Sequence, residues 1–228
     1  MLPSVIDAVA ALREMWTPPF RAVAAKILGL TLALVVMAAA AAHAWLSGLV
    51  TIPSPWLGMV VTILEGLGLA VAGIFLVAPM SALVAGFFID DLAGLVERDI
   101  DPARAPGRAL PIGSALWLSV RFALLSLAVM IVALALLLVP GINALAFLGA
   151  NAYLSGRQYF EFAALRFRSP EETRAMRNAH AGTIFAAGLW IALFLSVPIL
   201  NLLTPLFATA LMVRVHKRLA LRQILRPR

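Results

Sequence analysis

Residues 27–42 read ILGLTLALVVMAAAAA, and they open an uncharged run that continues to Leu64. About 20 consecutive apolar residues cross a bilayer as a helix, because a helix satisfies every backbone polar group within the segment. The run therefore specifies membrane-embedded helix and not a soluble core. Three more uncharged stretches follow, Gly66 to Ile89, Phe122 to Gly156 and Ala181 to Val213. All 18 Lys and Arg fall outside these stretches, in four patches at residues 13–26, 98–121, 157–177 and 214–228. This is the pattern of a polytopic, all-α integral membrane protein.

With 63% hydrophobic and 13% charged residues, most of the 228 positions are needed for the membrane stretches. The chain reads as a single polytopic membrane domain over 1–228, comprising an interfacial amphipathic segment at 1–22 and cytoplasmic segments at 90–114 and 157–180. Cysteine is absent, which excludes a disulfide framework, a thiolate metal site and a cysteine nucleophile. No phosphate-binding glycine loop or catalytic triad is present, and His43, His180 and His216 lack metal-site spacing. No enzyme activity, cofactor or metal is expected. A net charge of +7 would point to nucleic acid in a soluble protein, but here the cations flank apolar spans. The lipid bilayer, through its anionic headgroups, is the expected partner, and nucleic acid is not.

Charge also orients the chain. The turns Gly48 to Pro55, Val139 to Ala144 and Val197 to Pro205 carry no charge, so the positive-inside rule places the four basic patches and both termini in the cytoplasm. Pro3 to Trp16 reads as a short amphipathic helix with a capping-box-like start at Ser4 and Asp7, and with Ile6, Val9, Met15 and Trp16 at the interface. Thr17-Pro18-Pro19 opens the first membrane helix, with Thr17 as N-cap, and that helix runs to about Ser47. Ala42-His43-Ala44 has the form of a leader-cleavage site; the long preceding region with Asp7 and Glu14 argues against cleavage. The second membrane segment, Trp56 to Ile89, reaches about 50 Å as one helix and must tilt, bend at Pro79 or protrude. The acidic stretch from Asp90 to Glu97 is expected to continue it, with Asp90, Gly94 and Glu97 on one face. Asp101 to Pro111 is a proline-rich loop. Gly66, Gly68 and Ala72, with Ala82 and Gly86, offer small-residue faces for helix packing.

The last two apolar regions share the pattern V-P-x-[IL]-N-x-L, at Val139 to Leu145 and at Val197 to Leu203. Proline ends the preceding helix, and an asparagine three residues on can bond freed backbone groups or cap the next helix. Pro140 with Asn143, and Pro198 with Asn201, are therefore the expected tips of two helical hairpins. Only about 14 residues precede the second tip, too few to span, so the fold expected is long transmembrane helices plus half-penetrating helical hairpins. Between the hairpins, Ser169-Pro170-Glu171-Glu172 is a helix start with N-cap, proline at the first position and capping-box Glu.

These motifs resemble the CysZ sulfate-permease family, grouped with homologues of the etoposide-induced 2.4 membrane protein. The likeness rests on Val139-Pro140-Gly141-Ile142-Asn143, Ala152-Tyr153-Leu154, Gln158-Tyr159-Phe160-Glu161, the run Val197 to Pro205, and Ala78 to Ala85 leading into Glu97. The resemblance implies an inner-membrane sulfate permease, assembled as a homo-oligomer, that supplies sulfate for cysteine synthesis. It also implies an anion-binding element of the form P-G-[IL]-R-R at the start of the first membrane helix. The matching residues are Pro18-Pro19-Phe20-Arg21-Ala22, in which proline replaces the glycine and Ala22 replaces the second arginine.

Independently of the family, a guanidinium beside a helix N-terminus suits a dianion, so Arg21 is the leading anion-binding candidate, with Phe20 beside it. Its competing role is snorkelling to headgroups. Lys26 lies about 140° around the helix from Arg21 and reaches the same anion only through a bend or another subunit. Arg121, about a turn inside the third apolar segment, is a further candidate, because charges at membrane depth are costly unless used or paired. Glu65 is the acid inside an apolar span. It reads either as an intramembrane coupling group or as a packing residue paired near the outer surface. Three functions stay open: a transporter or channel for sulfate or a related oxyanion, a non-transporting membrane scaffold of the same family, and a membrane-embedded enzyme. The missing nucleophile and base count against the last.

Overall fold

The structure, a computed structural model, describes residues 3–49, 54–103, 105–109, 111, 113, 117, 124, 128 and 143–225. Arg121 and Pro140 lie outside them. Among the described residues there are helices and no strands: α1 (Pro3–Glu14), α2 (Pro18–Leu49), α3 (Pro55–Gly86), α4 (Ile89–Ile100), α5 (Asn143–Leu165), α6 (Pro170–Ala179), α7 (Ala181–Leu195), α8 (Pro198–Asn201) and α9 (Thr204–Leu225). The chain divides into two compact units, Ala22–Phe88 and the remainder.

The first unit is a pair of long apolar helices. Pro18–Gly48 and Pro55–Gly73 are each long and apolar enough to cross a membrane. His43 lies beside Glu65, and Val35 lies 3.5 Å from where a Cβ would stand on Gly73. The two contacts pair rising residue numbers with falling ones, so α2 and α3 run antiparallel. Leu32, Val36 and Met37 of α2 and Met59, Leu64 and Leu67 of α3 are exposed, as lipid-facing side chains must be. Trp45 and Trp56 are exposed near the end of α2 and the start of α3, where amphipathic rings favour a membrane interface. The acidic stretch does not continue α3. The helix ends at Gly86, the Phe87 and Phe88 amides close its last turn on Val84 O and Ala85 O, and Ile89 starts a separate helix.

The second unit is organised around α9, which packs against α1, α4, α5 and α7. Phe207, Leu211, Met212, Val215 and Leu219 are buried along it. α5 and α7 cross at two glycines: a Cβ on Gly188 would stand 2.0 Å from the Ala152 carbonyl oxygen, and one on Gly156 would stand 2.9 Å from the Ile184 carbonyl oxygen. A close small-residue contact lies here. Among the described residues, a Cβ on Gly66, Gly68 or Gly86 would meet nothing within 4 Å. Ser169 caps α6 as its sequence specifies: its hydroxyl accepts from the Glu172 amide at 3.2 Å, and the Glu172 carboxylate accepts from the Ser169 amide at 2.9 Å. α6 and α7 meet at 88°. The 15 residues of α7 reach about 22 Å, short of a hydrocarbon core of about 30 Å. That length suits a helix that enters the membrane and returns through α8 into α9. The turn is held by the backbone, with the Asn201 amide donating to Val197 O at 2.8 Å and Leu203 to Leu200 O at 2.9 Å. Asn143 is the first residue of α5.

α1 turns its polar face inward. Ser4, Ala8, Ala11 and Glu14 are buried, whereas Ile6, Val9, Leu12 and Trp16 are exposed. A helix lying on lipid needs its apolar stripe outward in this way. Ser4 lies within the helix and not ahead of it, so the start of α1 is not the expected Ser4 cap.

Candidate functional site

The start of α2 is built by Thr17, Pro18 and Pro19. A helix leaves its first four amides without helical partners. Here Thr17 N–H donates to Glu14 O at 2.9 Å, Pro18 and Pro19 have no N–H, and the Phe20 amide is left. The Thr17 carbonyl accepts from Arg21 N–H at 3.0 Å, as an N-cap carbonyl does, but its hydroxyl donates backward to Glu14 O at 2.7 Å. Thr17 therefore closes α1 with its side chain while opening α2 with its carbonyl. The Phe20 ring is buried and fixes the turn, and the Arg21 side chain is exposed with no ion pair among the described residues. Lys26 is exposed as well. The site that results is one exposed guanidinium, unpaired among the described residues, beside the buried Phe20 at the helix start.

Other arginines of the second unit are differently used. Arg166 is buried, and its guanidinium grips Glu97 in a fork, Nε to Oε1 at 2.8 Å and Nη2 to Oε2 at 3.2 Å. It also donates to Asp90 and, at 3.1 Å, to Gly107 O. Glu97 Oε2 in turn accepts the Gly107 amide at 2.7 Å. Asp90, Gly94 and Glu97 do share a face, and Arg166 is what that face receives. Burial alone would lower the Arg166 pKa, but Glu97 and Asp90 outweigh it and raise it. Arg214 ties α9 to α1 and α4 through Glu14 at 2.7 Å and Asp99 at 2.8 Å, and Arg218 pairs with Asp7 at 2.5 Å. Arg166, Arg214 and Arg218, read as headgroup anchors, are thus spent on ion pairs inside the protein. The partners stand up to 211 residues apart in sequence, as Asp7 and Arg218 do, which hides them from any local pattern.

In the first unit Glu65 has a partner that its sequence surroundings did not reveal. His43 Nδ1 lies 2.9 Å from Glu65 Oε1. The pair borders a recess of about 540 Å³ between α2 and α3 that Ser47 and Thr62 also line. Both hydroxyls are satisfied by backbone carbonyls of their own helices, Ala44 O and Gly58 O. Glu65 is accordingly a paired intramembrane acid.

His216 of α9 is buried between Phe167, stacked at 5.6 Å, and Phe160 at 6.1 Å, and among the described residues neither ring nitrogen has a hydrogen-bond partner. Burial, together with the charges of Arg168 and Lys217, pushes its pKa down to about 4 from 6.5. A base whose folded pKa is depressed contributes its full stability above pH 6.5, and that stability is lost as pH falls toward 4 because the unfolded chain takes up a proton first. The loss is about 3 kcal/mol at most. Asp7 and Glu14, whose pKa values burial raises, act in the opposite direction. Comparison of melting temperatures between pH 7 and pH 5 isolates the histidine: wild type loses stability relative to His216→Leu, and parallel curves for the two proteins would remove this role from His216.

A family model described as Sulfate transporter CysZ/Etoposide-induced protein 2.4 matches residues 8–205 of the chain. No curated protein matches the chain significantly.

Proposed function

The chain belongs to the sulfate transporter CysZ/etoposide-induced protein 2.4 family, and on that footing we propose that it passes sulfate or a related oxyanion across the bacterial inner membrane. The observation that carries this reading is the family match, which runs through both apolar spans and into the returning helices. The anion supplies sulfur assimilation and cysteine synthesis. In this reading both termini face the cytoplasm, which the charge-free turns support through the positive-inside rule, and copies of the chain assemble together.

Arg21 makes first contact with the anion. Arg157, Arg166, Arg177, Arg214 and Arg218 all have acidic partners, whereas the exposed fork of Arg21 has none among the described residues. Lys26 and Arg121 are secondary candidate cations for the anion. Glu65, held by His43, acts in packing or coupling and not as a ligand, since a carboxylate repels a dianion. One observation favours the scaffold reading: Pro19 and Ala22 leave this helix start with fewer donors than the family pattern has.

The two readings separate in sulfate flux. Arg21→Ala lowers uptake into reconstituted liposomes about tenfold or more, the scale of one charge-assisted bond. Arg21→Lys lowers it less, because charge remains and the planar fork is lost. Ala22→Arg raises it. Equal flux in all three variants would dismiss this element as the site.

A further inference from the structure

Among α5, α6 and α7 lies a recess of about 400 Å³ whose lining includes Tyr153, Arg157, Arg177, Asn178 and Phe185. Arg157 follows Tyr153 by one helical turn on α5, and Glu161 follows Arg157 by another, so the three share a face. Arg157 Nε donates to Glu161 Oε1 at 3.1 Å, and Arg177 Nη1 from α6 donates to the same oxygen. The weaker contacts are Arg157 Nη1 to the Tyr153 hydroxyl and Arg177 Nη2 to Asn178 Oδ1, both at 3.4 Å.

The charges do not balance. Two guanidinium groups, with 16% and 15% of their side-chain surface exposed, share one buried carboxylate. Arginine does not shed its proton in proteins, so one positive charge stays uncompensated in a partly desolvated place. Two other arginines of this unit show the reverse: Arg166 meets Asp90 and Glu97, and Arg214 meets Glu14 and Asp99. Keeping like charges together away from water is costly unless a counter-charge completes the set. Each guanidinium retains N–H groups beyond those already bonded, and these match the oxygens of a tetrahedral anion. The Tyr153 hydroxyl adds a donor at the rim, and Phe185 gives the same rim an apolar side.

We propose that this recess binds a tetrahedral oxyanion between Arg157 and Arg177, either free sulfate or the phosphate of an anionic lipid. The sulfate source rests on the transport reading above, and the lipid source does not. Glu161 positions the two guanidinium groups and at the same time opposes the anion.

The test is calorimetric titration of the full chain in detergent, with sodium sulfate in one arm and phosphatidylglycerol in mixed micelles in the other. Arg157→Gln and Arg177→Gln each weaken binding about tenfold or more, as expected for one charge-assisted bond. Glu161→Gln strengthens it several-fold, a gain that a merely structural role for these residues does not produce. A response to sulfate identifies the free ion, and a response to phosphatidylglycerol alone identifies the lipid. Unchanged binding of both in the two arginine variants overturns the proposal, as does weaker binding in folded Glu161→Gln. If the Gln variants fail to fold, Arg157→Lys and Arg177→Lys keep the charge and lose the fork; undiminished binding in both overturns the proposal equally. Wild-type sulfate flux with no binding in the recess leaves the transport reading standing alone. Binding in the recess without flux does the converse.

Discussion

Gly188→Ala destabilises the protein by about 3 kcal/mol or more, a cost at or above the usual range for overpacking. The added Cβ falls 2.0 Å from the Ala152 carbonyl oxygen, with the Ala152 carbonyl carbon at 2.9 Å and Gly156 Cα at 3.1 Å. All three are backbone atoms of α5, so no side chain can swing aside. Either the two helices part along their whole contact or α7 unwinds. Gly149→Ala on α5 is the control, because nothing lies within 4 Å of its new Cβ. There the ordinary helix preference for alanine operates and stability rises by up to about 1 kcal/mol. Melting temperatures in detergent read both, and a fall no larger at 188 than at 149 would remove the close crossing from the account.

Glu97→Ala, or Arg166→Ala, costs about 3–5 kcal/mol, the penalty for leaving one buried charge without its partner. Either change also strands groups of the 101–109 loop, since Glu97 accepts the Gly107 amide and Arg166 donates to the Gly107 carbonyl. The loop approaches closely enough that a Cβ on Gly107 would stand 2.7 Å from Arg166 Cβ. Replacing both residues together, Glu97→Leu with Arg166→Met, recovers a large part of the loss, because an apolar pair carries no desolvation penalty. Asp90→Asn has a small effect, since about half of the Asp90 side chain is exposed. Strict additivity of the two Ala substitutions in a double-mutant cycle would show that the fork is not a coupled unit.

What was legible in the sequence was local or long in wavelength. The uncharged run from Ile27 to Leu64 announced α2 and the start of α3, and Ser169 to Glu172 announced the start of α6, because cap, proline and glutamate act within four residues. Asp90, Gly94 and Glu97 could be placed on one face by helical period alone. Their partner could not, since Arg166 lies 69 residues beyond Glu97 and no periodicity links them. The same holds for Arg214 with Glu14 and for His43 with Glu65, which meet only once the helices fold back on each other.

Glycines show the same limit. Gly66 and Gly68 have the spacing of a packing motif and meet no other described residue, while Gly156 and Gly188, far apart in sequence, make the close crossing. The break after Gly86 was hidden because Phe87 and Phe88 are as apolar as the helix they end. At the anion-site candidate the prolines were visible, but the backward bond of Thr17 to Glu14 was not, because it depends on α1 ending beside α2.

The claim that the chain passes an oxyanion is tested most directly by uptake of radiolabelled sulfate into liposomes carrying the purified wild-type protein, beside protein-free liposomes. The account predicts uptake well above the protein-free rate, competed by unlabelled sulfate and reduced in Arg21→Ala. Uptake equal to that of protein-free liposomes, from protein shown to be folded and inserted, would contradict it and leave the scaffold reading in its place.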